Sequence, residues 1–245
     1  MAVDPEAPLV LAVDTSGPVE GIALVQGELV LGSWSGRRPG RSGSGLVGRI
    51  QQVFEWGGRE PGQLSGVAGV IGPGAFTGLR VGIATLRGMA SALSVPSFSY
   101  RSDEAWAASF PGSTLPVAVT LDARRKEVYS ALLSVGLEGR PRSIDPVRLQ
   151  APTAWFEYLA AEESCSGGVR LVGDGALLYR ERACSILGER AVFTEASPAG
   201  AAVSWMARDA VVRLEAGEPG GEPLRPLYLR DHDAAIKAGV GPQSS

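Results

Sequence analysis

The stretch GVAGVIGPGAFTGLRVGIATLRGMASAL, residues 66–93, decides the fold. It opens with a short apolar run, Val67 to Ile71, bounded by Gly and Pro, which reads as a buried strand. The run breaks at Gly72-Pro73-Gly74, and the spacing predicts a helix from about Thr77, whose hydroxyl suits an N-cap. Leu79, Ile83, Leu86, Ala90 and Leu93 recur at three- and four-residue steps and make one apolar face. Gly78, Gly82, Thr85, Met89 and Ala92 form a second stripe, mostly of small side chains. A helical glycine costs about 1 kcal/mol relative to alanine. Gly78, Gly82 and Gly88 therefore call for close packing against another element.

Upstream, Leu9 to Val13 is a solid apolar run ending in Asp14-Thr15-Ser16-Gly17, the pattern of a central strand covered on both faces. Gly21 to Val25 and Leu29 to Trp34 follow as a hairpin. Residues 35–45, SGRRPGRSGSG, read as a loop. Leu46 to Trp56 reads as a helix with Leu46, Ile50 and Val53 on one side. Ser94 to Tyr100 returns as a strand and Asp103 to Phe110 as a short helix.

The pattern then starts again. Leu115 to Leu121 is an apolar strand ending in Asp122, Glu127 to Val135 and Arg142 to Leu149 are strands, and Thr153 to Glu163 is a helix. Val169 to Val172 breaks at Gly173-Asp174-Gly175 and leads into a helix over Ala176 to Leu187. A strand at Ala191 to Thr194 and a long helix over Pro198 to Ala216 close the chain before a polar tail. Asp14 thus matches Asp122, and the turn at Gly72 matches the turn at Gly173. A repeat on this scale implies two similar lobes, each a mixed sheet with flanking helices. The division expected is an N-terminal lobe over 1–102 carrying the partner-binding helices, and a smaller C-terminal lobe over 103–245 that includes the long helix near 198–216 and the tail.

With 245 residues and a formal net charge of −3, the chain lacks the basic excess of a protein that grips nucleic acid alone. Cys165 and Cys184 are isolated and His232 is the single histidine, placed in the tail as a solvated residue, so neither a metal site nor a catalytic triad is expected. No signal peptide and no membrane-length apolar run is present, which points to a cytoplasmic protein.

Two lobes that each open with a strand ending in Asp have the layout of actin-like phosphotransferases, where the loops after the first strands hold phosphate. Asp14, Thr15 and Ser16 form a plausible loop of this kind, at least a vestigial one. Its counterpart, Asp122-Ala123-Arg124-Arg125, has no glycine and two large side chains, and Asp122 reads as a turn former; for Asp14 both roles stay open. GPGAFTG is one residue too long for a dinucleotide fingerprint and is not a P-loop. Arg80 and Arg87, seven apart on one helix, read either as a solvated face or as the rim of a partner surface.

Together these residues resemble the bacterial TsaB (YeaZ) family. The strings are LAVDTS at 11–16, GPGAFTGLRVGIAT at 72–85, DARRKEVYSAL at 122–132, GDGA at 173–176 and PLYLR at 226–230. The resemblance implies a duplicated, actin-like (ASKHA) α/β fold and a non-catalytic paralogue of TsaD, a pseudoenzyme with no catalytic residue and no cofactor of its own. It implies a scaffold subunit that binds and activates TsaD, with the ATPase TsaE, in forming N6-threonylcarbamoyladenosine next to the anticodon of tRNAs that read codons starting with A. ATP and metal then belong to the partner subunits, tRNA is reached through the complex, and the chain alone forms a homodimer. The contact implied runs over Leu46, Ile50, Phe76, Thr77, Gly78, Arg80, Gly82, Thr85 and Met89. Where this family often has a His-Ser pair, Arg41-Ser42 stands here. An ATP-dependent phosphotransferase or ATPase of the same fold is the alternative, and a metallopeptidase, opposed by the lone histidine, the second.

Overall fold

The computed structural model describes residues 4–37, 45–195, 197–221 and 224–229. Strands β1 (Leu9–Asp14), β2 (Val19–Gln26) and β3 (Leu29–Arg37) form an antiparallel meander. Helix α1 (Leu46–Gly57) leads to β4 (Gly66–Gly72), which lies parallel to β1. Helix α2 (Phe76–Leu93) crosses to β5 (Ser97–Arg101), parallel to β4, and α3 (Ser102–Ala107) leaves the sheet. The second half repeats this with β6 (Val117–Asp122), β7 (Val128–Val135), β8 (Pro141–Gln150), α4 (Pro152–Ala161), β9 (Val169–Val172), α5 (Asp174–Leu178), α6 (Arg180–Leu187) and β10 (Ala191–Phe193). Helix α7 (Ala199–Glu215) closes the described helices.

The two five-stranded sheets have the same order, β3-β2-β1-β4-β5 and β8-β7-β6-β9-β10, with the same pattern of antiparallel and parallel neighbours. The repeat extends to the backbone. Gly72 and Gly173, each at the end of the fourth strand of its half, have φ of 119° and 118°. A side chain on Gly173 would put its Cβ 2.2 Å from the carbonyl oxygen of Thr120. The turn passes so close to the neighbouring strand that only glycine fits.

The first sheet is covered on both faces. A Cβ on Gly69 would meet Leu86 of α2, whereas one on Gly66 would meet Leu214 of α7. Because side chains alternate along a strand, α2 and α7 lie on opposite faces. Helix α1 shares the α2 face, with Leu46, Ile50, Val53 and Phe54 buried on β2 and β3. Glu20 of β2 pairs with Arg49 of α1, and the Arg49 guanidinium sits 4.8 Å from the Trp34 ring centre.

One continuous core joins the halves: Val117, Val119 and Leu121 of β6 pack in the same cluster as Val203, Met206 and Ala210 of α7. The opposite face of β6 packs on Trp155, Phe156 and Leu159 of α4. There the Trp155 indole N–H donates to the Thr120 hydroxyl at 2.9 Å, so these two buried polar groups satisfy each other. Chain order assigns α7 to the second half, but its closest packing is with β2 and β1 of the first sheet. A helix whose face is lined by Ala202, Val203, Met206 and Ala210 goes where a sheet face is open, and that face was the inner side of the first sheet.

Three local expectations change. Strand β3 runs to Arg37, so Ser35 to Arg37 pair with Gly21 to Val19 instead of looping, and Arg41 and Ser42 lie outside the described residues. The helix after Gly173-Asp174-Gly175 is two helices, broken at Tyr179. Helix α2 begins at Phe76 with Ala75 as N-cap and no side-chain cap, so Thr77 lies in the first turn. His232 also lies outside the described residues.

Candidate functional site

Two surfaces are candidates for function, the outer face of α1 and α2 and the cleft between the two β1-type loops. Helix α2 buries Leu79, Ile83, Leu86 and Ala90 against the sheet, so the apolar stripe is its core face. The small-residue stripe divides. Gly78 and Gly82 face inward: the Thr15 hydroxyl donates to the Gly78 carbonyl at 2.8 Å, and a Cβ on Gly82 would stand 2.2 Å from Thr15 Oγ1. The chain's own β1 loop thus explains Gly82, and both glycines are buried. Leu46 is likewise buried beneath α1, holding it to the sheet.

Thr85 and Met89 are half-buried and, with Ile50, line a groove of about 910 Å³ between α1 and α2. Val47, Phe54, Ala84 and Gly88 complete its apolar wall. Val47 is 66% exposed and Trp56, further along α1, 53%. A Cβ on Gly88 or on Gly48 would meet nothing within 4 Å. Each of these glycines weakens its helix, by about 1 kcal/mol, with no return from packing inside the chain.

The N-terminal end of α2 is built differently. Phe76 packs on Tyr228 with ring centres 5.6 Å apart and planes tilted by 40°, and the Arg80 guanidinium lies 3.9 Å from the Phe76 ring centre while its Nε donates to the Tyr228 hydroxyl at 3.2 Å. Tyr228 arrives on a strap that follows α7. Leu224 is fully buried against Gly69, and the Leu227 N–H donates to the Ile71 carbonyl at 2.8 Å. Helix α2 is therefore held at its start by the strap. Arg80 and Thr77 are exposed, and Phe76 half-exposed.

The cleft has a volume of about 640 Å³ and is lined by Ser16, Gly17, Arg37, Thr77, Asp122, Arg124, Arg125 and Asp174, among others. Both strand-end aspartates make the same turn: Asp14 Oδ1 accepts from the Ser16 N–H at 2.8 Å, and Asp122 Oδ1 from the Arg124 N–H at 2.8 Å. Their other oxygens are also held. Asp14, fully buried, accepts from the Trp106 indole N–H at 3.0 Å, and Asp122 pairs with Arg124 at 2.9 Å. Trp106 had no signal in the sequence, because it comes from α3, 92 residues away. Asp174 accepts from the backbone N–H groups of Asp122 and Gly175, and burial is the main cause that pushes its carboxyl above the usual aspartate range. Arg124, Arg125 and Lys126 are consecutive residues with φ of 62°, 52° and 62°, all left-handed. Among the described residues no cluster of three or more His, Cys, Asp and Glu side chains could hold a metal ion, and no helix is long and apolar enough to cross a membrane.

The duplicated sheet order, the paired aspartate turns and the matched glycine turns define an actin-like α/β protein with two mixed sheets. Residues 45–145 match the family model described as "TsaD: tRNA N6-adenosine threonylcarbamoyltransferase". The chain is 25% identical to the tRNA threonylcarbamoyladenosine biosynthesis protein TsaB of Bacillus subtilis, over 93% of this chain and 96% of that one. It is 34% identical to an uncharacterized protein of Mycobacterium tuberculosis over 66% of this chain and 63% of the relative. A crystal structure from Pseudomonas aeruginosa, of a protein described as similar to peptidase YeaZ, superposes with a TM-score of 0.74 at 26% identity, covering 91% of this chain and all of the other. The chain is thus similar over more than nine-tenths of its length to TsaB and YeaZ proteins.

Proposed function

We propose that this chain is the scaffold subunit of a tRNA threonylcarbamoyladenosine-forming assembly, binding and activating TsaD through the outer face of α1 and α2. The carrying observation is the pair of helical glycines, Gly48 and Gly88, with open space where a Cβ would stand, beside the apolar groove between α1 and α2. Small residues on an exposed apolar face let the backbones of a second helix pair approach, and exposed Val47 supplies apolar area that such a contact desolvates. The docking residues are Ile50, Thr85 and Met89 with Val47, Ala84 and Gly88; Phe76, Thr77 and Arg80 rim the helix start.

The role is structural, with no catalytic residue and no cofactor in this subunit. ATP and the metal are carried by the partner subunits, TsaE completes the assembly, tRNA is contacted through the complex, and all of it is cytoplasmic. Without TsaD the same face pairs two copies of the chain. The phosphotransferase alternative needs carboxylates open to a magnesium ion, whereas Asp14 and Asp122 are turned onto Trp106 and Arg124.

The test is size-exclusion chromatography with light scattering on the chain alone and mixed with TsaD from the same source. A one-to-one species that replaces a homodimer supports the reading. A homodimer that persists unchanged in the presence of TsaD overturns it.

A further inference from the structure

The groove between α1 and α2 begins where the strap ends. Strands β1 and β4 run parallel, and β3, antiparallel to β2, has the same direction. Helices α1 and α2 therefore both start at the cleft end of the first sheet and lead away from it. The strap reaches that same end: the Leu227 N–H donates to the Ile71 carbonyl, and Tyr228 packs on Phe76 in the first turn of α2. The chain thus passes Leu229 beside the head of a groove of about 910 Å³ walled by Val47, Ile50, Phe54, Ala84 and Met89. An apolar groove of this kind marks a contact site.

The residues that follow, RDHDAAIKAGVG at 230–241, match the path of the groove in three respects. The first is reach. Gly88 lies about 18 Å along α2 from Phe76, and the eight residues from Tyr228 to Ile236 extend to about 27 Å. The second is charge. Helix α2 has no acidic residue in its first turn and no side-chain cap, so its free N–H groups and positive dipole end favour a carboxylate. Asp231 and Asp233 follow Tyr228 closely enough to supply one. At the far end of the groove stand Glu55 and Glu60, while Arg59 is turned onto the Gln26 side-chain oxygen at 3.0 and 2.8 Å. That end is acidic, and Lys237 suits it. The third is shape. Ile236 stands between Ala234-Ala235 and Ala238-Gly239, one large apolar side chain among small ones, and Gly88 leaves open space in the wall it would meet.

We propose that residues 230–241 fold back along the groove, with Ile236 over Gly88 and Lys237 toward Glu55 and Glu60, and so guard the docking face. The guarding role rests on the reading of α1 and α2 as that face; the fold-back itself does not. TsaD, or a second copy of the chain, must displace the segment to bind. A segment that covers the groove nine-tenths of the time lowers the apparent affinity of the partner about tenfold.

The experiment is disulfide trapping in the full chain, in a Cys184→Ser background that removes the exposed thiol and keeps the buried Cys165. Gly88→Cys with Ile236→Cys should close within one chain under mild oxidation, at a dilution where the chain is monomeric. Val212→Cys with Ile236→Cys is the control, because Val212 is exposed on α7 across the sheet. No closure at position 88, closure only between chains, or equal closure at position 212 would overturn the fold-back. In the chain with its native cysteines, Ile236→Asp should tighten TsaD binding about tenfold in a titration. Unchanged or weaker affinity would overturn the guarding role. Trapping needs no partner, so failure of TsaD to bind at all would count against the docking face and leave the trapping result standing.

Discussion

The hydroxyl of Thr15 donates to the carbonyl of Gly78 at 2.8 Å and stands 2.2 Å from where a Cβ on Gly82 would lie. Together with the Ala75 N–H donating to the Ser16 carbonyl at 2.6 Å, it bolts the loop after β1 to the first turns of α2. The loop that lines the cleft and the helix that faces the proposed partner are therefore one rigid piece. Gly82, which permits this approach, is buried inside the chain.

Gly82→Ala should destabilise the chain by about 1–3 kcal/mol, the cost of forcing a methyl group into a filled space. Adding Thr15→Ala removes the clashing hydroxyl and should restore part of the loss. Urea denaturation of the two single variants and the double variant measures the coupling. A Gly82→Ala variant as stable as wild type would mean that the approach is looser than described.

Gly88 behaves in the opposite way. Gly88→Ala adds a methyl group in open space and should raise stability by about 1 kcal/mol, the helix propensity difference. Gly88→Arg should leave the fold intact, within about 0.5 kcal/mol of wild type, and abolish co-elution with TsaD. Undiminished co-elution of a folded Gly88→Arg chain would remove α2 from the docking face.

Asp174 carries a pH signature. Burial, chiefly, raises its folded carboxyl pKa above the ordinary aspartate value of 3.8. The native chain then holds its proton more tightly than the unfolded one, so the Asp174 contribution to stability is lost as pH rises from 3.8 through the raised value. Asp174→Asn keeps an oxygen for the Asp122 and Gly175 N–H groups and has nothing to ionise. It should be more stable than wild type at pH 7, with the difference closing as pH falls toward 3.8. Thermal melts of both chains across this range check the sign, and a difference that widens on acidification would refute it.

Leu224, fully buried against Gly69, anchors the strap that carries Tyr228 to Phe76 and Arg80. Leu224→Ala should cost about 3 kcal/mol by leaving a cavity. Tyr228→Ala should cost much less stability, while lowering affinity for TsaD by freeing Arg80 at the rim of the docking face. Calorimetry on the first and partner titration on the second separate the two roles; equal losses of stability would place Tyr228 in the core.

The sequence by itself determined what is local. Alternating and continuous apolar runs located the strands, three- and four-residue steps located the core face of α2, and the match of Asp14 with Asp122 and Gly72 with Gly173 disclosed the duplication. These signals are readable because backbone geometry repeats every two or every 3.6 residues, within reach of a short window. The tertiary structure alone decided what the remaining sides of α2 meet. Gly78, Gly82 and Gly88 look alike in the chain, yet the first two are claimed by Thr15, 63 residues from Gly78, and the third faces open space. It decided that Asp14 is held by an indole 92 residues away, and that α7 crosses back to the first sheet. Such contacts depend on which surfaces remain open once both sheets have formed, a property of the packed molecule that no stretch of sequence contains.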